Sequence, residues 1–364
     1  MNALRDLVTM DAPVWLAAGG LLIGFAFGAI AQATNFCTMG AISDIMNLRD
    51  WRRLRAWLLA AATAILGAQL LQWIGAVDLS LSMYLSARLN WAGSILGGLM
   101  FGFGMVFAGG CASRNLVRAG SGDARSLLVL VVIGSLAYMT IGGILGPLRA
   151  MLERATSVTL GAPTQSVGDL LASHIGMSAQ TAQLIAAAAV LVPLFIFCFA
   201  SADFRASRRH VWSGIGIGLS AVAGWLLTGL AFDEMADWPR PPISLTYVRP
   251  VGDAMEWLER FTAAPLPGFG VATVLGALLG AFVVATSTGG FRVTGFAGTD
   301  DTLRHLTGAM LMGVGGVMAL GCTIGQGVSG VSTLAAGSFL TVLAIVLGTV
   351  FGVKTLERWL SSEE

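Results

Sequence analysis

Charge is what this sequence has least of. Of its 364 residues only 11% are Asp, Glu, Lys or Arg, against roughly 25% in a soluble domain. Acidic and basic residues almost cancel, leaving a formal net charge of +1, which excludes the strongly basic surface that nucleic-acid binding requires. Four cysteines contain no C-x-x-C pair, so neither a zinc site nor a thioredoxin-type motif is expected. His174, His210 and His305 are scattered without ligand spacing, and no metal or cofactor is assigned to them. No nucleotide-binding motif is present, and no stretch reads as a separate soluble domain.

What is abundant is apolar sequence. Hydrophobic residues make up 55% of the chain and the mean hydropathy is +0.78. Runs of about 20 apolar residues, each long enough to cross a bilayer as a helix, recur throughout. Candidate spans fall at 13–33, 56–77, 91–110, 126–147, 179–200, 211–231, 268–287, 305–320 and 336–353. The expected fold is an all-α polytopic membrane protein of about nine spans with short re-entrant half-helices. Residues 1–364 form a single membrane domain in this reading. The first run is too long for a signal peptide and is expected to be retained.

The arginines sort between alternate loops. Arg49, Arg52, Arg53 and Arg55 follow the first span, Arg118 and Arg125 the third, and Arg205, Arg208 and Arg209 the fifth. Arg292 and Arg304 flank the loop after the seventh span, and Lys354 and Arg358 follow the ninth. The positive-inside rule makes these loops cytoplasmic, with the N-terminus outside and the C-terminus inside. In the outer segment 232–269, Ala254, Trp257, Leu258 and Phe261 follow helical spacing, which predicts a short interfacial helix.

Glycine, at 48 residues, is frequent where helix backbones approach closely in lipid. Gly24/Gly28 and Gly276/Gly280 are read as such packing pairs. Other glycines mark a repeat. Superposing Cys111 on Cys322, an offset of 211, aligns Gly97 with Gly308, Gly102 with Gly313, Gly104 with Gly315 and Gly110 with Gly321. The two segments run in opposite directions across the membrane in this topology, which points to an inverted repeat. Gly20 and Gly24 lie similarly on Gly214 and Gly218. The expected halves are 13–147 and 211–353, joined by the span 179–200.

Three cysteines lie where an apolar helix pattern breaks into small and polar residues: Asn35-Phe-Cys-Thr-Met-Gly40, Gly109-Gly-Cys-Ala-Ser-Arg-Asn115 and Gly321-Cys-Thr-Ile-Gly-Gln-Gly327. Such breaks persist at membrane depth only inside protein-lined cavities. Cys198, within an unbroken apolar run, is the contrasting case of a small buried side chain, and simple packing is the competing reading of the other three as well. Freed backbone N–H groups and helix N-termini favour an anion. A neutral thiol is a weak, soft donor, suited to a sulfur-bearing ligand. A thiolate would repel that ligand, so the thiols should stay near or above the free value of about 8.5. Arg114 adds a full charge, or equally is an arginine marking the cytoplasmic end of its span. Asp300 and Asp301, beside Arg292 and Arg304, are read as a solvated loop network.

At these motifs the chain resembles the YeeE/YedE family of sulfur-transport membrane proteins, whose best-characterised members take up thiosulfate. The resemblance covers nearly the whole chain and is most specific at G-C-T-I-G-Q-G. It implies an hourglass-shaped inverted repeat with a narrow central path, along which Cys37, Cys111 and Cys322 pass thiosulfate through S–H···S contacts. Asn35, Gly110, Ser113, Arg114, Gly321, Thr323 and Gln326 are the accompanying binding candidates. Many relatives have a glycine soon after G-C-A-S where this chain has Arg114-Asn115. The resemblance further implies a non-enzymatic importer in a bacterial inner membrane, with a small cytoplasmic TusA-like sulfurtransferase as partner. Two other classes compete on cysteine chemistry alone: a membrane thiol oxidoreductase or persulfide carrier, and a permease for a soft metal such as Cu(I).

Overall fold

Lipid offers no partner to a backbone N–H or C=O, so membrane-length apolar runs close their hydrogen bonds internally as helices. The computed structural model of the protein describes residues 2–236 and 239–361. The first half contains α1 (Asn2–Met10), α2 (Ala12–Thr34), α3 (Thr38–Ser43), α4 (Arg52–Trp73), α5 (Gly98–Phe107), α6 (Ala112–Gly120), α7 (Ala124–Ile141) and α8 (Gly146–Thr156). There follow α9 (Val167–Ile175), α10 (Ala179–Phe199), α11 (Ala202–Ala206), α12 (Arg208–Leu230), α13 (Val248–Glu259), α14 (Phe269–Ser287), α15 (Thr299–Met318) and α16 (Ala336–Ser361). Two short strands, β1 (Arg88–Asn90) and β2 (Ser157–Thr159), pair antiparallel with Leu89 opposite Val158.

Among the described residues eight helical segments are long and apolar enough to cross a membrane. The first runs on through α3 to Leu48, and the third through α6 to Gly120. The ninth expected span, 305–320, exists as part of α15, a helix of 20 residues. It opens with Asp300, Asp301 and Arg304, and these charges lower its hydropathy. The protein is thus an all-α polytopic membrane protein. The arginine-bearing loops gather at one end of the bundle. Arg209 donates to the Ala33 carbonyl at the end of α2 (2.9 Å), and Asp123 pairs by backbone with Thr294.

Glycine sets how close the helices come. A Cβ on Gly24 or Gly28 would fall on the carbonyl oxygens of Thr273 or Ala277 in α14, and one on Gly276 or Gly280 on those of Leu21 or Phe25 in α2. The α4/α12 contact repeats this pattern. Gly20 and Gly24 face the carbonyls of Phe269 and Thr273, and Gly214 and Gly218 face those of Ala56 and Ala60. The α5/α15 contact is reciprocal: Gly97 meets the Gly315 carbonyl and Gly315 that of Gly97, while Gly104 and Gly308 do the same. Its partners advance in opposite directions along the two helices, so α5 and α15 cross antiparallel. Exchanging each residue for its equivalent 211 positions away leaves the contact unchanged, the signature of a two-fold relation.

The short helix expected in 232–269 is α13, but the packing face differs from the expected stripe. Val248, Val251 and Gly252 are buried, with Gly252 against the Tyr138 ring of α7, while Leu258 and Phe261 stay exposed. Of the stripe read from the sequence, Ala254 packs on the core while Leu258 and Phe261 face away from the protein.

Gly28→Val forces a branched side chain into the Ala277 backbone, which cannot yield, at a cost of about 2 kcal/mol or more. The detergent-purified variant should melt several degrees lower than wild type. Gly142→Ala, with open space around it, should leave the melting temperature unchanged. At the basic end, burial would raise the Asp123 carboxyl, but hydrogen bonds from Arg125 and Arg118 outweigh it and hold it at about 2. That stabilisation is present above the unfolded value of about 3.9 and is lost as pH falls through 2, amounting to at most about 2 kcal/mol after solvent screening. Asp123→Asn should therefore lower the neutral-pH melting temperature and flatten its decline between about pH 4 and pH 2.

Candidate functional site

Two helix breaks of the same construction lie at the centre of the fold. After α5 the chain passes through Gly109 (φ 71°) and Gly110 (φ 154°), and after α15 through Leu320 (φ 57°) and Gly321 (φ 156°). The second residue of each pair occupies a region open essentially to glycine alone. Gly110 N–H donates to Met105 O (2.8 Å) and Gly321 N–H to Gly316 O (2.7 Å), equivalent bonds in the two breaks. The carbonyls left over need other partners. Asn115 supplies its Nδ2 to Gly110 O (2.7 Å), with Cys111 O, which already accepts from Asn115 N–H, at 3.2 Å, and Gln326 supplies its Nε2 to Ala319 O (2.5 Å). Asn115 and Gln326 are again 211 positions apart.

Each break delivers a cysteine to the start of a helix. Cys111 precedes α6 and shares a hydrogen bond of 3.2 Å with the Ser113 hydroxyl. Cys322 precedes the helical segment 323–332, its sulfur accepting from Gly325 N–H at 3.3 Å with the N–H groups of Ile324 and Tyr247 alongside. Cys37 does the same for α3 after Asn35 turns left-handed (φ 60°), accepting from Gly40 N–H at 3.4 Å. All three are free and buried, at 9%, 2% and 0% exposed for Cys37, Cys111 and Cys322, so the thiols are closed off from both ends of the bundle. Cys37 and Cys111 are within electrostatic reach of each other, as are Cys111 and Cys322. Cys198 lies elsewhere, packed with Ala56, Leu59 and Phe204, its thiol donating to Arg55 O at 3.4 Å.

The surroundings differ at the two ends. Arg114 reaches from α6 to Asn35, donating from Nη2 to Oδ1 at 2.6 Å, and so ties the Cys111 break to the Cys37 turn. Beyond them lie Arg53, paired with Asp44, and Arg118, which holds Gly109 O (3.0 Å) and Asp123 (2.6 Å). On the opposite side a cavity of about 570 Å³ is lined by Tyr84, Arg149, Arg249 and Asp253 and ends at Leu320 and Gly321. A neighbouring cavity of about 210 Å³ shares Tyr84, Arg149 and Leu320 and reaches Gln326.

Several polar atoms near the thiols are buried with no hydrogen-bond partner: Arg114 Nη1, Asn115 Oδ1, Thr323 Oγ1, Gln326 Oε1, Trp57 Nε1 and the Tyr247 hydroxyl. Buried polar atoms are normally satisfied, so this group has capacity to spare for a ligand. Trp57 lies against Gly327, and Tyr247 stacks at a tilt on Phe27, ring centroids 5.0 Å apart. Sequence reading missed Asn115, Trp57 and Tyr247. Asn115 could have been found through its 211-residue relation to Gln326, whereas Trp57 and Tyr247 arrive from distant segments that carry no motif. His305, assigned nothing from sequence, is buried with Nδ1 2.7 Å from Asp301 O and Nε2 facing Gly109. Asp301 bridges Arg304 (2.7 Å) and is part of the basic end. Among the described residues no cluster of three His, Cys, Asp or Glu side chains with metal-binding geometry occurs.

Comparison with known proteins places this geometry in context. A family model described as sulphur transport matches residues 33–351. The chain is 28% identical to the thiosulfate transporter TsuA of Spirochaeta thermophila over 343 residues, 90% of this chain and 96% of that protein. It is 26% identical to the thiosulfate transporter TsuA of Escherichia coli over 344 residues, 90% of this chain and 91% of that protein. The probable transporter YedE of Salmonella typhimurium matches over 124 residues at 33% identity, 32% of this chain and 29% of that protein.

Asn115→Leu and Gln326→Leu each strip a break carbonyl of its side-chain partner, a loss of about 1–3 kcal/mol. Thermal melts should show falls of similar size for the two variants. An unchanged melt for either would mean that its break is held by something other than the carboxamide.

Proposed function

The chain belongs to the sulphur transport family, a transporter rather than an enzyme, and from that premise we propose that it imports thiosulfate or a closely related sulfur anion across a bacterial inner membrane. The observation that carries this reading is the set of three buried thiols. Each stands at a helix N-terminus, and together with the unpartnered polar atoms around them they lie between the cavity at Gly321 and the basic end. An anion enters from the outer cavity, meets Cys322 first, passes to Cys111 and leaves past Cys37. Backbone N–H groups at Gly110 and Gly321 and the helix N-termini offset its charge, while the neutral thiols act as soft donors to its terminal sulfur.

The reciprocal α5/α15 contact supports a reading of 13–147 and 211–353 as two inverted halves about the thiols, with 179–200 as connector. The arginine-rich end is then cytoplasmic, the N-terminus outer and the C-terminus inner. A small cytoplasmic sulfurtransferase of the TusA type is the partner proposed to receive the released ion. No nucleotide-binding motif lies in the chain, so coupling to ATP would require another subunit.

Uptake of radiolabelled thiosulfate into proteoliposomes tests the thiol mechanism. Wild-type protein should accumulate label, and the triple variant Cys37→Ala, Cys111→Ala, Cys322→Ala should fall to the rate of empty liposomes. Wild-type rates in that triple variant would remove the thiols from the mechanism.

A further inference from the structure

Arg114, on α6, brings a positive charge to two of the three thiols. Its guanidinium is within electrostatic reach of both Cys37 and Cys111. One arm is spent on Asn35 Oδ1 at 2.6 Å, and the other, Nη1, is buried with no partner. No carboxylate bridges it among the described residues. The two arginines that act on it, Arg118 and Arg53, are each committed to a carboxylate, Asp123 and Asp44. Arg114 is also fixed in place, because its stem packs over Gly110, where a Cβ would come within 2.9 Å of Arg114 Cγ.

Arg114 is half-buried as a residue, but its Nη1 is sealed from water with no partner; such a group without a counter-charge is costly, and it persists when a ligand supplies the missing charge. The planar guanidinium donates in a fork that fits the paired oxygens of an oxyanion. Thiols, by contrast, suit a soft sulfur atom. The two donor types side by side describe a ligand with two different ends.

We propose that Arg114, between Cys37 and Cys111, holds the oxygen-bearing end of the transported anion and so selects sulfur oxyanions over sulfur anions that lack oxygen. The inference rests on the transport reading above and deepens it. Asn35 acts as a positioning residue that orients the guanidinium. The sulfonate-type oxygens lie on Nη1, and the terminal sulfur faces a thiol. A lysine at this position keeps the charge but loses the fork.

The test uses full-length protein, purified in detergent for thermal melts and reconstituted for uptake. The variants are Arg114→Gln, Arg114→Lys and Asn35→Ala, and the probes are sodium thiosulfate, sulfite and sulfate, with chloride at matched ionic strength as reference. Wild type should be stabilised by thiosulfate beyond chloride. Arg114→Gln should lose that ligand-dependent shift while melting no lower than wild type without ligand, since a charge with no carboxylate partner has been removed. Its half-saturation for thiosulfate uptake should rise at least tenfold with a smaller change in maximal rate, Arg114→Lys should recover part of the loss, and Asn35→Ala should fall between.

Unchanged half-saturation in Arg114→Gln, with wild-type uptake intact, overturns the assignment and leaves the transport reading standing. A lower melting temperature without ligand and no selective change in half-saturation also overturns it, by making Arg114 structural. Stabilisation of wild type by sulfite or sulfate but not thiosulfate, abolished in Arg114→Gln, supports Arg114 as the anion site and overturns thiosulfate as the substrate. No stabilisation of wild type by any of the three anions overturns the assignment.

Discussion

An interrupted helix in a membrane interior has to satisfy the backbone groups that the interruption frees, and the rest of this structure depends on how that is done. At Gly109–Cys111 and Leu320–Cys322 the chain leaves the helix and starts another within a few residues. Glycine at Gly110 and Gly321 supplies a backbone conformation closed to other residues, and the carboxamides of Asn115 and Gln326 take up carbonyls that water would satisfy elsewhere. What remains is a set of helix N-termini aimed inward with a thiol at each. The polarity of the site comes from those N-termini together with the unpartnered side-chain atoms of Arg114, Asn115, Thr323 and Gln326.

Close helix packing is what holds those breaks together. Backbone-to-backbone contact at Gly24, Gly28, Gly276 and Gly280 fixes α2 on α14, and Gly214 and Gly218 fix α12 on α4 in the same manner. At the crossing of α5 and α15, Gly97 lies on Gly315 and Gly104 on Gly308. The two helices that lead into the breaks are thereby held against each other. Because the contact is its own image under the 211-residue offset, a change in one break has an equivalent in the other.

Much of this was legible in the sequence because it is written in residue types with one physical use each. The apolar runs named the spans, and the glycines in register with Cys111 and Cys322 named the breaks. The ninth span was harder, since Asp300, Asp301 and Arg304 place charge inside a helix that also carries Gly308 and Gly315. The α13 stripe of Trp257, Leu258 and Phe261 has helical spacing, yet periodicity alone does not say whether such a stripe meets protein or lipid. Trp57 and Tyr247 were out of reach, because nothing local marks a residue whose neighbours come from distant segments. Asn115 was within reach but hidden by the change of side chain from Gln326, which preserves the carboxamide and not the letter.

The central claim is that the break cysteines, and not cysteine in general, carry the anion. Growth on thiosulfate as sole sulfur source, in a bacterial host without its own uptake routes, tests it most directly when wild type is compared with Cys111→Ala, Cys322→Ala and Cys198→Ala at matched membrane expression. The account predicts growth with wild type and Cys198→Ala and none with the other two. Growth with Cys111→Ala and Cys322→Ala at the wild-type rate would contradict it.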